Sequence, residues 1–220
     1  MNLHHADWKR HEWRGTAQDF HALELPSERA LWSCEVSSPA IILGSTQSDT
    51  DIDGAEATSL GLAVVKRRSG GGAVFVSPED SVWIDVTIGR DDPLWTDDIS
   101  TSMLWLGDAF VRALQPWVQA ETFRGLFNNG LDGRTVCFAS ESPGEVFVNG
   151  AKLVGISQRR GRYGARLQCV MYHHWNPQLW VPALSSPEVR ERITAMNVAT
   201  LNVPATEIVA ALLVELSALA

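Results

Sequence analysis

The sequence predicts an α+β fold, with a central mixed, largely antiparallel sheet flanked by a few helices. Three observations lead there. Val82, Ile84, Val86 and Ile88 stand at every second position, the period of a strand. Asn149-Gly150 sits between two apolar runs, a strong signal for a tight hairpin and so for an antiparallel pair. Strand and helix segments do not alternate regularly along the chain, which argues against a doubly wound parallel sheet.

The elements follow in order. The first fifteen residues are polar and show no apolar period; they read as an N-terminal arm, leaving 16–220 as a single domain. Ala17 to Leu31, with Phe20 and Leu23, suggests a helix bent or broken at Pro26. Ala40-Ile41-Ile42-Leu43 before Gly44 is a short buried strand. Asp49 to Leu60 is a weak helix. Leu62-Ala63-Val64-Val65 is a strand leading to Arg67, and Val74-Phe75-Val76 is the strand that leaves the glycines. Asp91-Asp92-Pro93 ends the alternating strand. Ile99, Met103, Leu106, Phe110 and Leu114 recur at helical steps, stopped by Pro116. Thr135–Phe138 and Glu145–Val148 read as strands. So do Leu153–Gln158 and Ala165–Tyr172, joined by Arg159-Arg160-Gly161-Arg162. Thr206 to Leu219 is an amphipathic helix with Ile208, Val209, Leu212, Leu213 and Leu216 on one side.

Length and composition bound the function. A chain of 220 residues is in the range of one domain. Hydrophobic residues at 45% and charged residues at 20% fit a globular protein with a real core. A net charge of −8 makes a poor general binder of nucleic acid or anionic membrane. No apolar run approaches the ~18 residues of a membrane span. His4, His5, Asp7 and Lys9 do not form a signal peptide. Cys34, Cys137 and Cys169 are odd in number and widely spaced. That argues against a disulfide framework or a Cys-x-x-Cys zinc site, and for a reducing cytoplasm.

The most informative run is Arg67-Arg68-Ser69-Gly70-Gly71-Gly72-Ala73-Val74. Three glycines free the backbone and leave no side chains in the way, so a ligand can lie against the main chain. Successive N–H groups in such a turn form an anion-binding concavity. The two arginines add permanent charge suited to carboxylate or phosphate. No Gly-Lys-Ser/Thr follows, so it is not a Walker A loop, and the strand after it excludes the dinucleotide fingerprint. The bland alternative is a glycine-rich hairpin with two solvated arginines. The second run is Gly150-Ala151-Lys152-Leu153-Val154-Gly155-Ile156-Ser157, in which a lone lysine follows a hairpin between apolar strands. Alone it reads as a snorkelling surface lysine; beside the glycine run it can meet the same anion.

Through these two runs, about residues 17 to 215 resemble the lipoate–protein ligase A family, which shares its catalytic domain with biotin ligases and octanoyltransferases. Cys34-Glu35-Val36 to Ser45-Thr46-Gln47 looks like the family's early strand pair. Arg67 to Val74 is similar to its acyl-adenylate loop. Lys152 with Val154-Gly155-Ile156-Ser157 is similar to the segment that carries its active-site lysine. The resemblance implies the biotin/lipoate ligase catalytic-domain fold and a two-step reaction. Lipoate and ATP, with Mg2+ expected, give lipoyl-AMP. The acyl group then passes to a lysine on a lipoyl domain of a 2-oxoacid dehydrogenase or a glycine-cleavage protein. It implies that Lys152 is catalytic, as a point charge beside the carboxylate and the acyl oxygen. Arg67, Ser69, Gly70, Gly71, Gly72, Ala73, Asp80, Val154, Gly155, Ile156 and Ser157 would hold substrate or adenylate, with Val74, Val154 and Ile156 lining the acyl tail. A docking patch would be local, at Arg159, Arg160 and Arg162.

Three departures stand out. Val76, Gln168 and Cys169 occupy positions where ligases often hold histidines. No C-terminal accessory domain follows, which leaves a separate accessory subunit or a chain that performs transfer only. That favours an alternative on the same fold, a cysteine-dependent octanoyl or lipoyl transferase with Cys137 or Cys169 as nucleophile; for either, a small buried hydrophobe is the plain reading. A third reading is a lipoate-binding module without chemistry. Other signals are weak. His173 and His174 would face opposite sides of a strand. His4, His5 and His11 lack a metal-binding spacing, and Glu141 and Glu145 are too loosely placed for an acid–base pair.

Overall fold

The computed structural model describes residues 8–219; the first half of the expected arm, with His4 and His5, lies outside them. The described residues form ten strands and five α-helices: β1 (Lys9–Gly15), α1 (Ala17–Ala22), β2 (Ala30–Val36), β3 (Ala40–Leu43), α2 (Gly54–Ser59), β4 (Ala63–Lys66), β5 (Val74–Val76), β6 (Ser81–Gly89), α3 (Leu104–Leu114), β7 (Glu121–Thr122), β8 (Val146–Val148), β9 (Ala151–Arg160), β10 (Gly164–Tyr172), α4 (Pro187–Thr194) and α5 (Ala205–Ser217). The large sheet has the order β1-β2-β6-β10-β9-β8-β7, and a small one the order β4-β3-β5. Among the described strands, β1–β2 and β3–β4 pair in parallel and the other pairs are antiparallel. The expected fold class, α+β with a mixed, mainly antiparallel sheet, is what forms.

The alternation in β6 sorts the layers. Val82, Ile84, Val86 and Ile88 join Leu167, Cys169 and Met171 of β10 in a core with α3 and α5. Trp83 of β6 and Val170 and Tyr172 of β10 face the other way, into a second core with the small sheet and α1. Removing a chain of such side chains from water stabilises by roughly 1.5–3 kcal/mol each, so both faces of the sheet are committed. Asp85, Arg166 and Gln168 share the second face, and the Asp85–Arg166 pair is buried there.

Several expectations are corrected. The polar start is an edge strand from Lys9 to Gly15, because its backbone pairs in parallel with β2 from Lys9↔Ala30 to Gly15↔Val36. The helix expected to Leu31 ends at Ala22, where Leu23 turns extended, and Ala30 onward is strand. Thr135–Phe138 is not a strand; Val136 makes one parallel bridge to Ala73, and Cys137–Ala139 is a 3-10 turn. Asn149 and Gly150, with φ of 50° and 78°, form the expected tight hairpin turn.

Candidate active site

The glycine loop is shaped by close backbone packing. Gly71 has φ +98°, and a Cβ on Gly72 would stand 2.7 Å from Gly133 O and Val136 N. The loop is stitched to the 135–137 segment by Ala73 N–H to Thr135 O (2.8 Å) and Cys137 N–H to Ala73 O (2.9 Å). Arg67 is buried and donates to Ile42 O (3.1 Å), Gly70 O (2.8 Å) and Gly72 O (2.9 Å). Its guanidinium therefore clamps the loop from inside, while the side chain also borders the cleft and its Nε has no partner among the described residues. With those carbonyls turned inward, the N–H groups of Gly70, Gly71 and Gly72 have no acceptor among the described residues. Arg68 pairs with Glu24 at the surface.

Lys152 is brought to the same place from β9. Its Nζ is buried, 2.8 Å from the Glu145 carboxylate, and donates to Cys137 O at 2.9 Å. Burial pushes the Glu145 carboxyl above its ordinary range, against the pull of Lys152. Glu145, set aside on spacing alone, is thus the partner of the motif lysine, while Glu141 accepts from Asn128. A second link joins the two motifs directly: Ser69 Oγ lies 3.1 Å from Ser157 Oγ and donates to Gln168 Oε1 at 2.6 Å.

Between them is a narrow cleft. Its walls include Arg67, Val74, Cys137, Phe138, Gly155 and Ser157 from the two motifs and the segment between them. Trp83, Val170, Gln168 and His21 complete it from the sheet and α1. A wider hollow lies beside Gly71, lined by Thr46, Gln47, Ser48, Phe127 and Arg134 among others.

Other expected site residues fall elsewhere. Val154 and Ile156 pack into the α3–α5 core and do not line the cleft. The cause is a β-bulge: Phe147 pairs with Lys152 and Val146 with Val154, so β9 carries one extra residue and the faces exchange after Leu153. Gly155 and Ser157 face the cleft in their place. Cys169 points into the same helix-side core, and burial raises its thiol well above the usual range, which removes it as a nucleophile. Asp80 does not line the cleft; it accepts from Asn176 (2.9 Å) beside His174 (3.3 Å) and ties down the 173–176 turn. Arg159 pairs with Glu24, and Arg160 bonds Thr96 O and stacks on Trp95, so neither stands free for docking.

His21, Trp83 and Phe138 gave no signal in the sequence. Each is spaced like a core residue, and only the packing of α1 and the 137–139 turn over β6, β10 and β9 turns them toward the cleft. Among the described residues no three His, Cys, Asp or Glu side chains converge on a point that could hold a metal, and no helix is long and apolar enough to cross a membrane.

A model of the lipoyl protein ligase A/B catalytic domain matches residues 17–217. No curated protein sequence matches. Among solved structures, the chain is similar to a bipartite lipoate protein ligase of Thermoplasma acidophilum, described together with its E2 lipoyl domain. The TM-score is 0.71 at 17% identity, covering 95% of this chain and 82% of that one. It is similar to lipoate-protein ligase A bound with ATP, with a TM-score of 0.68 at 18% identity, covering 93% and 82%. It also resembles protein Ta0514 of T. acidophilum with bound lipoic acid, with a TM-score of 0.68 at 16% identity, covering 94% and 83%.

Proposed function

Because the chain belongs to the lipoyl protein ligase A/B catalytic-domain family, and so is an enzyme of the ligase or acyltransferase type, we propose that it activates lipoate with ATP and transfers the lipoyl group to a lysine of a lipoyl domain. One observation carries this reading: the glycine loop and the lysine strand, far apart in sequence, meet through Ser69–Ser157 and through Cys137, with an apolar cleft between them.

The residues suit both steps. In the first, a lipoate carboxylate attacks the α-phosphate, and pyrophosphate leaves. The unpaired N–H groups of Gly70–Gly72 supply fixed donors for the charge that builds on phosphate oxygens. Arg134, exposed beside the adjoining hollow, adds a cation. Mg2+ would arrive on the phosphates, since it keeps much of its own water and needs few protein carboxylates. In the second, the acceptor amine attacks the acyl carbon and AMP leaves. An ammonium has three donors; those on Lys152 are engaged by both Glu145 oxygens (2.8 Å each) and by Cys137 O (2.9 Å), so the acyl oxygen would take the place of one of these partners. The lipoyl domain would approach over the glycine loop, and three free cysteines suit a reducing cytoplasm.

A specific observation favours a second reading. Cys137 Sγ lines the cleft and would lie 3.9 Å from a Cβ on Gly71. Its thiolate could attack an acyl thioester, release the donor thiol, and pass the acyl group to the lysine amine. Incubation with an apo lipoyl domain, read by mass, separates the two. The ligase needs lipoate and ATP, releases AMP and retains activity in Cys137→Ser. The transferase works from octanoyl carrier protein without ATP and loses activity in that variant. Failure of every donor to modify the lipoyl domain would overturn both.

A further inference from the structure

The cleft runs across the large sheet. Gly155 of β9, Val170 of β10 and Trp83 of β6 are register partners in one row, and all three line it. Neighbouring strands stand ~4.8 Å apart, so the row spans about 10 Å. Cys137 and Phe138 mark the β9 end. His21, packed on Trp83 with ring centroids 4.9 Å apart, marks the β6 end.

His21 is 7% exposed. Its Nδ1 lies 3.3 Å from Gln168 Nε2. Ser69 Oγ donates to Gln168 Oε1. The NH2 end of Gln168 therefore faces His21, Nδ1 is the acceptor, and the ring proton sits on Nε2. That Nε2 is buried and has no partner among the described residues. Ile42, Val74, Trp83 and Val170 around it are apolar and offer no side-chain acceptor. Burial, then Arg166 and Arg67, lower the His21 pKa to about 3, so at neutral pH the ring is an uncharged donor.

We infer that His21 determines specificity in the acyl cleft: its Nε2–H binds an acceptor atom at the far end of the acyl chain. The substrate class is then a medium-chain acid carrying a distal heteroatom, sulfur or oxygen, and not a plain alkyl acid. This rests on the acyl-transfer reading above and refines its substrate. A site built to hydrogen-bond a substrate atom rejects the analogue that lacks it, because the buried protein group is left unpaired.

Calorimetric binding of lipoate, 8-hydroxyoctanoate and octanoate to the wild type and to His21→Leu tests the inference. The wild type is expected to bind at least one acceptor-bearing acid about tenfold more tightly than octanoate. Whether lipoate or 8-hydroxyoctanoate gains tells sulfur from oxygen. His21→Leu is expected to bring the three within about twofold. Equal wild-type affinity for all three overturns the inference, and that comparison needs no variant to fold. A folded His21→Leu that keeps the wild-type ratio overturns it as well. If none of the acids binds, the acyl-transfer reading falls along with it.

Discussion

At Lys152 the fold and the chemistry make demands on one atom. Its ammonium neutralises Glu145 where neither side chain meets water, and it holds the Cys137 carbonyl against the glycine loop. Breaking a buried pair by removing one partner costs about 3–5 kcal/mol, because the other charge stays behind. Lys152→Ala is therefore expected to lose that much in urea unfolding as well as its transfer activity. Lys152→Met with Glu145→Gln should recover most of the stability and none of the transfer, which separates the two roles; recovered turnover would remove Lys152 from the reaction. His21 gives the second residue-scale prediction. Its folded pKa, about 3, lies below the ordinary histidine value of 6.5. The unfolded chain thus binds the proton first as pH falls. The contribution of His21 is fully present above pH 6.5 and is lost as pH drops toward 3, with a size on the order of 5 kcal/mol at 1.36 kcal/mol per unit. Asp85 and Glu145, raised by burial, titrate with the opposite sign. The measurement is therefore the difference in unfolding free energy between wild type and His21→Gln, which should shrink across that window.

The glycine loop shows what an element's sequence can and cannot reveal. Three glycines announced close backbone approach, yet the structure gives each a different reason. Gly71 takes φ +98°, a Cβ at Gly72 would strike three backbone atoms and one at Gly70 meets nothing within 4 Å; outside the run, a Cβ at Gly44 would stand 1.8 Å from Gly71 O. Gly72→Ala and Gly44→Ala are expected to lower stability by about 1–3 kcal/mol or more and to abolish transfer. Gly70→Ala should stay within about 0.5 kcal/mol of wild type. Equal damage from all three in thermal unfolding would contradict this packing. The same contrast governs legibility. The period in β6 and the turn at Asn149-Gly150 are local signals, and the elements they predict are present. The site residues depend on non-local events. A one-residue bulge in β9 reverses the faces of Val154 and Gly155, and no alternation pattern contains that step. Arg67 was legible as a cation beside the glycines, but its three carbonyl partners exist only once β3 and the loop are folded.

Across the whole molecule, the stretch that reads least like structure reaches the site through a relay of aromatic contacts. Lys9–Gly15 alternates exposed and half-buried residues in a polar sequence, so it carries no apolar period. Its parallel pairing with β2 is settled by backbone hydrogen bonds and by two tryptophans. Trp8 is buried in the helix-side core, near Trp105. Trp13 packs at 4.8 Å on Phe20, the neighbour of His21 on α1. Phe20 in turn meets Trp83 edge-on at 5.1 Å, under the far end of the cleft. Deleting residues 1–15 should therefore act in two places. Losing a buried tryptophan alone is worth about 3–5 kcal/mol, so the urea midpoint should fall well below wild type. With Trp13 gone, α1 loses the contact that sets Phe20 and His21 over Trp83, and affinity for acceptor-bearing acids should fall toward that for octanoate. Trp13→Ala isolates the second effect, because it leaves Trp8 and the strand pairing in place. It should weaken lipoate binding more than octanoate binding while the chain stays folded. An unchanged midpoint in the deletion would mean that β1 is an appendage after all. An unchanged acid preference in Trp13→Ala would mean that α1 holds His21 without help from the edge of the sheet.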